Sequence, residues 1–325
     1  MEKAKVYYTK EITPDSLIKI YEKLGVSLTG KVGVKVSTGE AGSKGYLKAD
    51  LIGPLVKKLN GTIIECNTAY PGKRNTKEDH LKVAEEHGFT SIANVDIMDG
   101  DGEIKIPVKS GKHLEYDLIG KNFDNYDSIL NLAHGKGHAM GGFGANLKNQ
   151  SIGIASRNGK AYIHSCGQTE DPVKCWQVEY EQKDFIESMA EAAKAVSDYC
   201  IDTNKKIVYI TVMNAISVNC DCDSHQDDPV MGDLGIVASL DPVANDQAFI
   251  DMLWNSTDPG HTKMMERVDR QVGRHITEYA EELGLGTTNY ELELGKAIAA
   301  IREKYHNLTE EKHVRFIVVY YLMSL

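Results

Sequence analysis

Between residues 5 and 88 the hydrophobic period changes back and forth three times, and this constrains the fold more than any other feature of the sequence. "KVYYT" has the β-branched and aromatic make-up of a strand, and "TPDSLIKIYEKLG" follows as a helix, with Thr13 as N-cap, Pro14 at the first helical position and Gly25 at its end. "KVGVKVST" then "YLKADLIGPLVKKLN", and "GTIIECNTA" then "TKEDHLKVAEEHG", repeat the pair, the last closed by Gly88. Helices of this length between strands serve as crossovers, so the strands they join run parallel.

The period changes at 91–121, where "IANVDIMDGDGEIKIPV" and "HLEYDLIG" read as consecutive strands with "DGDG" as a turn. Further on, "AYIHS" reads as a strand, "FIESMAEAAKAVSDYC" as a helix, and "KIVYITVMNAIS" and "LGIVASL" as buried strands. "DPVANDQAFIDMLWN" is a helix capped by Asp241, and 261–283 reads as one long helix ending at Gly284. The expected fold is α/β: a mostly parallel twisted sheet flanked by helices, with a small antiparallel strand patch. Residues 1–295 form a single domain in this reading, with lobes at about 1–125 and 126–295 as the alternative division. Residues 296–325 form a C-terminal extension.

With a net charge of −10 and no dense Lys/Arg patch, the chain is not expected to bind nucleic acid or an anionic membrane. "MEKAKVYYTKEI" lacks the apolar core of a signal peptide, and no apolar run approaches the ~20 residues of a membrane helix, so a cytoplasmic location is expected. Cysteines in that compartment tend to be free, metal-bound or catalytic. The late apolar run "FIVVYYLMSL" points to a homodimer, since a strand without a home in its own sheet can find one on a partner.

In an open parallel sheet ligands sit beyond the carboxyl ends of strands, where residues 38–46, 67–75, 134–149 and 219–229 are expected to lie. "HGKGHAMGGFGANLKN" holds His134 and His138 four apart, Gly141, Gly142 and Gly144, and Lys148. Histidines work as acid/base groups near neutral pH or as metal ligands. Consecutive N–H groups in a glycine turn can form an anion nest, to which Lys148 adds charge. The spacing is neither that of a Walker loop nor that of a dinucleotide fingerprint. "SRNGKAYIHSCG" adds Lys160 and His164, and the strand period would aim His164 and Cys166 to one face. "NCDCDSHQDD" gathers Cys220, Cys222 and His225 with four aspartates, all zinc-type ligands. A ferredoxin-like CxxCxxC run is absent, which argues against an iron–sulfur cluster.

Four stretches resemble the domain-of-unknown-function family 362, whose members are often labelled iron–sulfur-centre proteins: "VKVSTGEAGSKGYLKADLIGPLV", "ECNTAYPGKRNTKEDHLKVAEEHGF", "HGKGHAMGGFGANLKNQSIGIASRNGK" and "VNCDCDSHQDDPVMGDLGIVASLDPVANDQAFIDML". The resemblance covers roughly residues 3 to 295. Many members carry a ferredoxin-type insert where this sequence has only "CGQTEDPVKCW", so the cluster is not carried over. The order His-x3-His, glycine turn, Lys, later His is also similar to that of the lactate racemase catalytic subunit, which uses a nickel pincer cofactor. That likeness implies that His134 and His138 face cofactor or substrate, Lys148 holds or bonds the cofactor, and His164 ligates metal.

The resulting expectation is a metal-dependent enzyme, zinc or nickel, of isomerase or oxidoreductase type. His134, His138 and Lys148 are its catalytic candidates. Glu40, Lys44, Arg74, Gly141, Gly142, Gly144 and Lys160 would bind a small anionic metabolite, and His164, Cys220, Cys222 and His225 the metal. An iron–sulfur or electron-transfer protein and a non-catalytic metal- or anion-binding protein are the alternatives.

Overall fold

A computed structural model describes residues 3–222 and 228–294. The first third follows the expected alternation: β1 (Ala4–Thr9), α1 (Pro14–Lys23), β2 (Val32–Lys35), α2 (Ala49–Lys58), β3 (Thr62–Glu65), α3 (Lys77–Glu86) and β4 (Val95–Ile97). Thr13 caps α1 in a reciprocal capping box with Ser16. Gly25 and Gly88 leave their helices with φ of 66° and 83°, a region open to glycine without a Cβ clash. After β5 (Glu103–Pro107) and β6 (Tyr116–Gly120) come β7 (Ser128–His134), β8 (Lys136–His138), β9 (Gly142–Gly144), α4 (Asn146–Ile154), α5 (Arg157–His164) and α6 (Gln182–Asp202). The described chain closes with β10 (Lys206–Met213), β11 (Gly235–Ser239), α7 (Pro242–Trp254), α8 (His261–Arg270), α9 (His275–Glu282) and β12 (Tyr290–Leu294).

Eight strands form one sheet in the order β12-β1-β11-β10-β7-β2-β3-β4. Within it only β11 runs against its neighbours, pairing antiparallel with both β1 and β10. Hairpins β5–β6 and β8–β9 stand apart from it. Successive residues of β7 serve opposite faces, as the strand period requires. Leu130 and Leu132 pack with Leu17, Ile52 and Leu55 of α1 and α2, whereas Ile129 joins the cluster beneath α6. Among the described residues no helix is long and apolar enough to cross a membrane.

Three sequence expectations are corrected. "AYIHS" is the end of α5, not a strand: Ser156 caps that helix by accepting from the Gly159 N–H, and the short apolar run fits either period. The 261–283 helix is two, broken where Val272 takes φ 52°. The break lets Gly273 approach the β8–β9 turn so closely that a Cβ there would lie 2.8 Å from the Gly141 carbonyl. "DGDG" is not a hairpin turn, because β4 joins the main sheet parallel to β3 while β5 pairs with β6. "FIVVYYLMSL" and His225 lie outside the described residues.

Candidate functional site

Lys35 and Glu65 are the last residues of β2 and β3, and His134 is the last of β7. All three therefore reach the carboxyl edge of adjoining parallel strands, where backbone pairing ends and side chains can converge. Neither Lys35 nor Glu65 touches bulk water appreciably, and they lie 3.6 Å apart. Glu65 accepts from the Thr38 N–H and hydroxyl, each at 2.7 Å, and from Arg74 Nη1 at 3.4 Å. Burial pushes its carboxyl up, but Lys35 and Arg74, then His80, pull it well below the ordinary value. Arg74 also meets Glu40 at 3.5 Å and the Tyr70 hydroxyl at 2.9 Å.

A second layer joins β7, β8 and the loop after β10. Lys136 pairs with Asp221 Oδ1 and donates to His134 Nδ1 at 2.7 Å. His134 Nε2 donates to the Asn214 carbonyl at 2.6 Å. Both nitrogens of His134 are thus engaged within the protein, and burial followed by the Lys136 charge holds the ring well below its ordinary pKa. The Glu40 N–H donates to the Asp221 carbonyl at 2.8 Å, so the 38–46 and 219–222 segments meet over the sheet edge. Gly137 has no room for a side chain here: a Cβ would lie 2.2 Å from the Val218 carbonyl. That close approach draws β8 against the cysteine-bearing loop.

Lys148 enters from α4. This helix has no side-chain cap of its own. Asp246 of α7 accepts from Asn146 N at 2.8 Å and Leu147 N at 2.9 Å, replacing the cap. Below it, Asn149 accepts from Lys35 Nζ at 2.9 Å and donates to Asn131 at 2.6 Å, which seats the helix on the strand ends. Lys148 is half-buried, and its side-chain amine makes no hydrogen bond or ion pair with the described residues. Burial, then the charges of Lys35 and Arg74, bring its pKa down to about 7.

Two buried histidines that feel the Lys148 charge have opposite hydrogen-bond patterns. His138 Nδ1 accepts the Gly141 N–H at 2.8 Å, so the neutral ring carries its proton on Nε2. His164 Nδ1 donates to the Lys160 carbonyl at 2.6 Å, leaving the Nε2 lone pair without a partner among the described residues. Burial, with Lys148 and His164 next, keeps His138 well below its ordinary value, and burial takes His164 down to about 4. Both rings are neutral at pH 7. A ring nitrogen of His138 and the sulfurs of Cys220 and Cys222 lie within 4.8 Å of one another, a group able to hold a metal ion. Here the two sulfurs are joined as a disulfide.

Of the residues singled out in the sequence, Glu40, Arg74, His134, His138, Lys148, His164, Cys220 and Cys222 belong to this region. Lys44 stands exposed instead. Lys160 donates to the Ala155 carbonyl at 2.6 Å and closes the end of α4. The glycines do not make an open nest: the Gly141 N–H is spent on His138, while Gly142 and Gly144 pair with His138 and Lys136 in the β8–β9 hairpin. Sequence reasoning missed Lys35, Glu65, His80 and Lys136. A charged residue inside a run such as "KVGVKVST" or "GTIIECNTA" was the available signal, because a charge is buried only where it is paired.

The sequence matches the family described as a domain of unknown function, DUF362, over residues 32–251. No curated protein matches it. A crystal structure of a Thermotoga maritima protein is similar, with a TM-score of 0.39 and 13% identity over 81% of this chain and 59% of that one. The lactate racemase apoprotein from Thermoanaerobacterium thermosaccharolyticum is similar with a TM-score of 0.44 and 12% identity, over 78% of this chain and 58% of that one. The chain thus spans less than two thirds of either structure's length.

Proposed function

The chain belongs to the domain-of-unknown-function family DUF362, and from that premise we propose that it is a metal-dependent enzyme acting on a small anionic metabolite by isomerisation or redox chemistry. The observation that carries this reading is the charge around Lys148. Five cationic side chains, Lys35, Arg74, Lys136, Lys148 and Lys160, act on one another in this region, and Glu40, Glu65 and Asp221 supply three carboxylates. A buried surplus of positive charge is costly unless a ligand offsets it or an amine gives up its proton. Lys148 is the cation left to receive that ligand.

In their reduced form Cys220 and Cys222 supply two soft thiolates, and His138 completes a Cys2His set of the kind that leaves a zinc ion an open position. Ligation by His138 would sacrifice its bond from Gly141, at about 1 kcal/mol. That is small beside the ~10 kcal/mol or more typical of a zinc–thiolate site, so the donor set fits a zinc or nickel ion. When bound, such an ion acts as a Lewis acid towards an oxygen of the ligand. His164, with its free Nε2, is the acceptor for a substrate proton, and this unspent base favours catalysis over simple anion binding. An iron–sulfur reading needs at least three converging thiolates. Among the described residues, Cys220 and Cys222 converge with His138 and no third cysteine.

Metal analysis by plasma mass spectrometry tests the metal. Protein purified anaerobically under reducing conditions, without a histidine tag, is expected to hold close to one zinc or nickel per chain. The Cys220→Ser/Cys222→Ser double variant should hold almost none. Equal metal in both proteins, or iron with acid-labile sulfide, would overturn the assignment.

A further inference from the structure

The structure gives Cys220 and Cys222 two roles that exclude each other. Their sulfurs are bonded as a disulfide, and the same sulfurs lie within 4.8 Å of a ring nitrogen of His138 in the group able to hold a metal ion. Metals are ligated by thiolate, and a sulfur in a disulfide has no thiolate charge to offer. Bond and metal therefore displace one another. Among the described residues no third cysteine joins this group, and Cys66, Cys166, Cys175 and Cys200 are free, so an exchange partner comes from outside the pair. Cys220 is 5% exposed, whereas Cys222 is half-buried, so an incoming thiolate meets Cys222 first.

Asp221, the residue between the two cysteines, is buried and tied to the second layer of the site. Its carboxylate pairs with Lys136 and stands 3.2 Å from His134 Nδ1, and its carbonyl accepts from the Glu40 N–H at 2.8 Å. Sulfurs that share a tetrahedral zinc ion lie roughly 3.8 Å apart, as zinc–sulfur bonds of about 2.3 Å require. Opening the disulfide to admit the ion thus reshapes a loop whose middle residue braces Lys136 and His134.

We propose, on the metal reading above, that Cys220 and Cys222 form a thiol–disulfide switch that sets the metal occupancy of the site. In the loading direction a dithiol supplies the electrons. One of its thiolates attacks Cys222 Sγ, the S–S bond breaks and Cys220 leaves as a thiolate. The second thiolate of the reductant then displaces Cys222, so the protein gains two thiolates and the dithiol becomes a disulfide. Both protons of the dithiol pass to solvent as the metal binds. In the unloading direction a low-molecular-weight disulfide accepts two electrons and two protons and leaves as two thiols, while the protein disulfide re-forms and the metal departs.

The test takes the full chain, reduced and loaded with zinc, and titrates it anaerobically with oxidised glutathione. Zinc release is followed with a chromophoric chelator, and free thiols by alkylation and peptide mass spectrometry. Close to one zinc per chain is expected to leave in step with the loss of both alkylatable thiols at Cys220 and Cys222. Cys166→Ser should release zinc in the same way, and dithiothreitol should restore the thiols and the uptake. Zinc that stays bound while the disulfide forms, or that leaves with both thiols still free, would overturn the switch. If both thiols stay free and the zinc stays in place, the switch is wrong and the metal site stands. If the reduced chain takes up no zinc at all, the metal reading falls and the switch with it.

Discussion

Glu65→Ala should be among the most damaging single substitutions in the protein, lowering stability by roughly 3–5 kcal/mol. The carboxylate is buried, and Lys35, Arg74, His80 and Thr38 all converge on it. Its loss leaves Lys35 buried without its counter-charge, Arg74 with Glu40 alone, and the Thr38 N–H without its acceptor. Glu65→Gln keeps the shape and part of the hydrogen bonding but not the charge, so it should fall between wild type and alanine. Urea unfolding would show the change as a lower midpoint at an unchanged slope. The pH dependence follows from the direction of the shift. Because the folded carboxyl lies well below its usual 4.5, its stabilisation is complete above that value. It is lost as pH falls from there through the folded pKa. The variants should therefore show a flatter acid limb than wild type.

Binding of oxalate should weaken as pH rises through about 7, the value to which burial and then Lys35 and Arg74 bring the Lys148 amine. Below that pH the amine is charged and completes the anion site. Above it the amine is neutral and the ligand loses a charge-assisted hydrogen bond. Such a bond is worth about 1.5–3 kcal/mol, or roughly 10- to 100-fold in affinity. Lys148→Met should bind oxalate weakly at every pH, with the step near neutrality gone. Calorimetric titrations between pH 6 and 8 measure this directly. A wild-type affinity that is flat over the range, or a step that survives in Lys148→Met, would assign the anion to other cations.

The elements of the first third were legible because each carries local punctuation. Thr13 and Pro14 start α1, Gly25 and Gly88 close α1 and α3, and Asp241 caps α7 by accepting from Val243 N and Ala244 N. Such signals act within one turn of chain, and no tertiary contact is needed to read them. The errors arose where local chemistry was ambiguous. The run around Ala161, Tyr162 and Ile163 is too short to separate a period of two from one of 3.6, and the Ser156 cap that decides it stands five residues upstream of Ala161. The break between α8 and α9 is set by contact with Gly141 and Gly142, far away in sequence.

The candidate site divides in the same way. His138, Lys148, Cys220 and Cys222 were visible as residue types unusual for a core. The division of labour between His134 and His138 was not visible, because it depends on the Asn214 carbonyl and the Gly141 N–H that their rings meet. Nor could spacing show that Glu65 would bridge Lys35 and Arg74, since the sheet order that makes β2 and β3 neighbours is itself a tertiary outcome.

Cobalt(II) substitution followed by addition of oxalate tests most directly whether metal and anion share one pocket. The reduced protein should take up cobalt with a thiolate-to-metal charge-transfer band, and oxalate should shift that band. Lys148→Met should keep the band and lose most of the response to oxalate. A protein that forms no such band, or one whose band ignores oxalate that calorimetry shows to be bound, would contradict the shared site.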